Sequence, residues 1–222
     1  MTKYALFDLD GTLSDPKIGI TTCVQLALNH FGIRVDNLDE LEPFIGPPLK
    51  DSFMKFYGLS EEQAIKALEI YRSRFSTVGL YENTMYPGMD RMLRRLRAEG
   101  YQLSVASSKP TIYVERILEH FDLKKYFHHV VGSFLDGSRI EKDAIIDEAM
   151  RLLGVTDETK SQVVMIGDRM FDVQGAKSHG ISSIAVSYGY GSKEELIEAA
   201  PDYIVDTVEE LESLLLSLGL LD

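Results

Sequence analysis

Short apolar runs alternate with longer amphipathic stretches along most of this sequence, and that alternation constrains the fold more than any other feature. The runs Tyr4–Leu9, Gln102–Ser107, the stretch around Val130–Gly132, Val163–Ile166, Ser183–Val186 and Tyr203–Val205 have the length and composition of strands. Helical spacing of apolar residues fills the intervals from Gly88 to Arg97, Thr111 to Phe121, Lys142 to Leu153, Phe171 to Ser178, Lys193 to Ala199 and Val208 to Leu218. Parallel neighbours in a sheet can be joined only by a long crossover, and a helix is the compact way to make one. The expected class is therefore α/β, a parallel sheet flanked by helices.

The alternation breaks once. Between Leu13 and Met85 the sequence reads as helix without a good strand, including the amphipathic stretch Ser60–Phe75, which opens on the capping-box pattern Ser60-Glu61-Glu62-Gln63. A helical segment of this size directly after the first strand is accommodated more easily as an insertion than as one crossover loop. The predicted organisation is a core from residues 1–14 and 84–222 and a helical insertion at 15–83, with hinges at Ser14–Pro16 and around Asn83–Pro87. The closing LESLLLSLGLL is read as a terminal helix packed on the sheet.

Composition narrows the partners. A formal charge of −12 over 222 residues argues against a nucleic acid polymer or an anionic membrane as the main partner, because both need clustered basic residues. Cys23 stands alone, so no intrachain disulfide framework exists. The start MTKYALFDLDGTL is too short and too acidic for a signal peptide or a membrane span, and a cytoplasmic protein is expected.

The chemistry concentrates at strand ends. The first strand runs into Asp8-Leu9-Asp10-Gly11-Thr12, where strand alternation would put Asp8 and Asp10 on one side. A plain Asp-Gly hairpin turn is the competing reading, but it wants a partner strand directly after Gly11 and a helical pattern follows instead. The fourth apolar run ends in Gly167-Asp168, with Asp172 four residues on; acids decorating a helix N-terminus are the alternative there. Strand carboxyl ends in an open parallel sheet share one edge, so these acids converge, and converging carboxylates repel unless a cation sits among them. Such oxygen donors suit Mg²⁺. The run Gln102–Ala106 leads to Ser107-Ser108-Lys109-Pro110, whose hydroxyl and ammonium donors could hold a phosphate or, in the case of serine, simply cap a helix. Lys142, near a helix start, reads as a solvated lysine when taken alone.

In this order, Asp8-x-Asp10-Gly11-Thr12, Ser107, Lys142 and Gly167-Asp168-x-x-x-Asp172 resemble the four motifs of the haloacid-dehalogenase superfamily of phosphohydrolases. The resemblance covers nearly the whole chain, and the helical insertion looks like the family's small C1-type cap on a Rossmann-like core. The gap between Ser107 and Lys142 leaves no room for the larger second cap type. The resemblance implies a Mg²⁺-dependent phosphomonoesterase similar to phosphoglycolate phosphatases and bacterial 5′-nucleotidases, acting on a small-molecule phosphate ester as a monomer or homodimer. It also implies roles. Asp8 would be the nucleophile and Asp10 the acid and base; Asp8, Asp168 and the main-chain carbonyl of Asp10 would bind Mg²⁺, with Asp172 orienting that shell. Ser107 and Lys142 would hold phosphate oxygens, supported by Thr12 and Ser108. In the insertion, the Gly-Pro-Pro loop Phe44–Lys50 makes Gly46 and Lys50 the candidates for substrate contact. Asp10 argues against a dehalogenase. A phosphomutase of the β-phosphoglucomutase type shares the same core, and a non-catalytic binding or regulatory module is the reading from another class.

Overall fold

A computed structural model of the protein describes residues 3–136, 138, 139 and 141–218. Among these residues the strands are β1 (Lys3–Phe7), β2 (Ser14–Asp15), β3 (Thr84–Met85), β4 (Tyr101–Pro110), β5 (His129–Ser133), β6 (Val163–Gly167), β7 (Ser182–Val186) and β8 (Tyr203–Val205). The α-helices are α1 (Lys17–His30), α2 (Leu49–Tyr57), α3 (Glu61–Phe75), α4 (Met89–Ala98), α5 (Thr111–His120), α6 (Lys142–Leu152), α7 (Met170–His179), α8 (Lys193–Ala199) and α9 (Val208–Leu218). The chain divides into two compact units, one made of residues up to Ser14 and from Met85 onward, the other of Asp15–Thr84.

The first unit is an α/β fold on a six-stranded sheet of order β5-β4-β1-β6-β7-β8, with every pairing parallel. In β1, Ala5 lies opposite Leu103 on one side and Val164 on the other, and Ala5, Leu6 and Phe7 are fully buried. A strand covered on both faces needs such a continuous apolar run. One face of the sheet packs Leu6 and Met165 with Ile145, Ile146, Ala149 of α6 and Ala176 of α7. From β1 the chain steps outward through β4 to β5, then returns to the far side of β1 for β6, β7 and β8. That reversal falls at the carboxyl ends of β4, β1 and β6, the place where open parallel sheets bind their ligands.

The terminal helix α9 buries Val208, Leu211 and Leu215 and packs against α4 and β8, as its spacing predicts. Removing each such leucine from water contributes about 1.5–3 kcal/mol. Its buried Glu212 pairs with Arg91 at 3.2 Å and Arg95 at 3.3 Å, which offsets the cost of burying the charge. The last residues of the leucine-rich stretch lie outside the described residues.

Two strand boundaries differ from expectation. β1 stops at Phe7 rather than Leu9: Asp8 N still donates to Ile166 O at 2.9 Å, but the amides of Thr12, Leu13 and Ser14 all turn back on Leu9 O at 3.2, 2.9 and 3.1 Å. Asp8 and Asp10 thus stand beyond the strand, not along one of its faces. β4 continues through Pro110, with a register shift against β5 between Ala106 and Pro110. The two-residue strands β2 and β3, which pair with each other where the chain passes between the units, are too short to leave a period in the sequence.

The second unit is helical. α3 begins at the capping box, with Gln63 N donating to Ser60 Oγ at 3.2 Å and Ser60 N to Gln63 Oε1 at 2.9 Å. Buried Phe44 meets Phe53 and Phe56 at centroid separations of 5.0 and 5.5 Å. Arg74 and Glu82 form a two-bond pair at 2.6 and 2.7 Å. Among the described residues no helix is long and apolar enough to cross a membrane.

Candidate active site

Neighbouring strands β4, β1 and β6 deliver their carboxyl ends to one edge, and the acids of the sequence motifs meet there. Asp8 follows β1, Asp168 follows β6, and Asp172 sits in the first turn of α7. These three offer carboxylate oxygens all within 4.8 Å of one another. Asp168 and Asp172 are each only 1% exposed, so water screens them little. Gly11 makes the approach feasible: its φ is +76°, and a Cβ there would overlap the Asp168 carboxylate. The Asp-Gly pair is a turn, but not a hairpin, because Asp10 forms a parallel bridge with Ser14.

Lys142, the first residue of α6 and buried, reaches into this cluster. Its Nζ lies 3.0 Å from Asp8 Oδ2 and 2.7 Å from Asp172 Oδ1, and it donates to Ala106 O at 3.0 Å. Burial works against its charge, but Asp172 and Asp8 outweigh that and hold its pKa above the ordinary lysine value. The solvated reading of Lys142 is thereby set aside. At the end of β4, Lys109 pairs with Asp10 Oδ2.

The carboxylates respond in the other direction. Burial pushes Asp168 well above the usual carboxylate range, and the charges of Asp172 and Asp8 add to it. Burial likewise raises Asp172, to about 6, although Lys142 pulls it back. Asp10 is raised by burial despite Lys109. Four carboxylates face two ammonium groups here, and Asp168 Oδ1 is buried without a hydrogen-bond partner. A divalent cation would supply the positive charge that this arrangement lacks and a partner for Asp168 Oδ1, and an all-oxygen ligand set suits a hard one.

The remaining candidates are placed as follows. Ser107 is buried at the same strand end, its Oγ accepting from Lys109 N at 3.4 Å. Ser108 accepts from Ser133 Oγ through its carbonyl at 2.8 Å, pinning the irregular end of β4 to β5. Thr12 is fully buried, and its carbonyl accepts from Tyr188 Oη at 3.0 Å. Gly46, at φ +102°, and Lys50, paired with Glu61 at 2.6 Å, belong to the helical unit.

The side chain of Asp172 belongs to the same oxygen cluster as those of Asp8 and Asp168, and the side chain of Asp10 is turned to Lys109. Two contributors were missing from the sequence-derived site. Lys109 read as one donor among several in Ser-Ser-Lys-Pro. The loop Tyr188-Gly189-Tyr190-Gly191 was not among the candidates, although Tyr190 N donates to Asp168 Oδ2 at 2.7 Å; its closely spaced glycines were the available signal.

Residues 5–186 match the family model of haloacid dehalogenase-like hydrolases. A relative from Pseudomonas aeruginosa named 5′-nucleotidase is 44% identical over 198 residues, spanning 89% of this chain and 88% of its own. Tyrosine-protein kinase PtkA of Mycobacterium tuberculosis is 35% identical across 98% of this chain and 72% of its own. A phosphoglycolate phosphatase from Pseudomonas savastanoi is 27% identical across 95% of this chain and 79% of its own. Among solved structures, a predicted phosphatase from Clostridium acetobutylicum superposes with a TM-score of 0.92 at 46% identity, covering 97% of this chain and 98% of that one.

Proposed function

Because this chain belongs to the haloacid dehalogenase-like hydrolase family and is a phosphatase, we propose that it hydrolyses nucleoside 5′-monophosphates with Mg²⁺, through a phosphate ester formed transiently on Asp8. The observation that carries this reading is the buried cluster of Asp8, Asp168 and Asp172 held around Lys142 at the sheet edge.

The Asp8 carboxylate attacks phosphorus, and the bond to the leaving oxygen breaks. Asp10 gives that oxygen a proton, which its raised pKa favours, then takes a proton from the water that hydrolyses the aspartyl-phosphate. Lys109 keeps Asp10 turned toward the end of β4. Lys142 stays charged throughout, orienting Asp8 and giving phosphate oxygens a positive partner, with Ser107 donating beside it. Asp8, Asp168, Asp172 and the main-chain carbonyl of Asp10 would hold Mg²⁺, which when bound neutralises the carboxylates and so admits a phosphate dianion.

Metal binding carries a pH signature. The carboxyl of Asp172 rises from an ordinary 3.8 to about 6 in the fold, so its protonated form favours the folded state. In chelator that contribution is complete below about 3.8 and lost as pH rises through about 6. Above this window Mg²⁺ relieves the repulsion. At a hundredfold excess over its dissociation constant it should add about 2.7 kcal/mol, a rise of about 5–10 °C in unfolding midpoint at pH 8, and clearly less at pH 5. Equal increments at the two pH values would contradict the carboxylate site.

The core residues address only what every phosphate ester shares, so substrate selection is left to other residues, for which Gly46 and Lys50 are the candidates from the sequence. Support for a nucleotide comes from the 44% identity to a relative named 5′-nucleotidase, against 27% for a phosphoglycolate phosphatase. In a phosphate-release panel, kcat/KM for at least one nucleoside 5′-monophosphate should exceed that for phosphoglycolate by about tenfold or more, equivalent to about 1.4 kcal/mol of transition-state discrimination. A preference for phosphoglycolate would reverse the assignment.

A further inference from the structure

Asp168 is gripped by the loop that follows β7, and we infer that Tyr188–Gly191 is a positioning clasp that sets the affinity of the carboxylate cluster for its cation. The inference rests on the cation reading of the site given above. β6 and β7 are neighbours with Gly167 opposite Ala185, so the segments leaving the two strands run side by side. Tyr190 N donates to Asp168 Oδ2 at 2.7 Å, a charge-assisted bond that fixes the rotation of the carboxylate. The other oxygen, Oδ1, is left buried without a hydrogen-bond partner.

Contact this close leaves no space for side chains. A Cβ on Gly189 would overlap Asp168 Cβ and Gly11 O at once, and a Cβ on Gly191 would overlap Asp168 O. The loop is anchored beyond Asp168 as well. Tyr188 Oη donates to Thr12 O at 3.0 Å, tying the loop to the turn that carries Asp8 and Asp10, and the Tyr188 ring meets Tyr86 edge-on at 4.8 Å. From α8, Glu195 accepts from Arg169 Nε at 2.9 Å, a second guanidinium nitrogen at 3.2 Å and Met170 N at 2.9 Å. The turn following Asp168 is therefore held from both sides. A buried carboxylate held in this way offers one oxygen in a fixed place, and partners that orient a metal ligand commonly govern roughly 10–100-fold of affinity.

The test uses the whole chain with Mg²⁺ alone and no substrate. Unfolding midpoints are measured in chelator and across a Mg²⁺ titration for the parent, Gly189→Ala and Tyr188→Phe. The midpoint in chelator reports the packing role, and the Mg²⁺ concentration at which the midpoint rises reports affinity. Gly189→Ala should need roughly 10–100-fold more Mg²⁺. Tyr188→Phe, which loses a single hydrogen bond, should need roughly 2–10-fold more. If Gly189→Ala does not fold, Tyr188→Phe decides alone. Variants whose midpoint falls in chelator while the Mg²⁺ dependence stays at the parental position would reduce the loop to packing and overturn the inference. A parent chain that shows no response to Mg²⁺ would remove the cation reading itself.

Discussion

Asp8→Asn is expected to lower turnover of every phosphomonoester by roughly 10⁴-fold or more at saturating Mg²⁺, as loss of a covalent nucleophile does elsewhere. The substitution is conservative in shape. An asparagine oxygen can keep the bond from Leu9 N, now made at 2.7 Å, and Lys142 retains Asp172 at 2.7 Å and Ala106 O at 3.0 Å. Removing one buried negative charge also relieves Asp168 and Asp172, both of which Asp8 pushes upward. The metal-free variant should therefore melt no lower than the parent, while phosphate release collapses. Turnover near the parent rate, with the fold intact, would exclude Asp8 as nucleophile.

Asp10→Asn is the second large effect, a loss of roughly 10²–10⁴-fold in steady-state turnover, the range for a lost general acid and base. The turn itself tolerates asparagine, since Asn-Gly adopts the same conformations as Asp-Gly. What disappears is the carboxyl that Lys109 holds and that burial keeps readily protonated. Leaving-group dependence separates chemistry from structure. An aryl phosphate needs little protonation as it departs and should lose less in the first step than an alkyl phosphate, whereas activation of water is impaired for both. Parent-like rates on an alkyl ester would assign Asp10 to the turn alone.

Much of this was legible before any coordinates. The short apolar runs and the period-3.6 stretches placed the six sheet strands and the core helices, because buried parallel strands and amphipathic helices impose those patterns on a chain. Asp8, Asp10, Asp168 and Asp172 could be gathered at one place because parallel strands share a carboxyl edge, whereas Lys142 joined them only through the resemblance to the haloacid-dehalogenase motifs. The misses share a cause. The end of β1 depends on three amides turning back on Leu9 O, which no side-chain period records. Lys109 reaches Asp10 only because β4 runs on past Ser107 through a shift in register. The clasp around Asp168 works through a main-chain N–H and the absence of side chains at Gly189 and Gly191, so its function leaves only glycines in the sequence.

The central claim is that phosphate passes through Asp8, and the Asp10→Asn chain gives the most direct view of it. Mixed with Mg²⁺ and an aryl phosphate, quenched in acid after the first release of aryl alcohol and cleaved into peptides, this variant should carry phosphate on Asp8 in near-stoichiometric amount, because the step that removes it is slowed more than the step that forms it. Continued release of aryl alcohol with Asp8 unmodified, or with phosphate on another residue, would contradict the account.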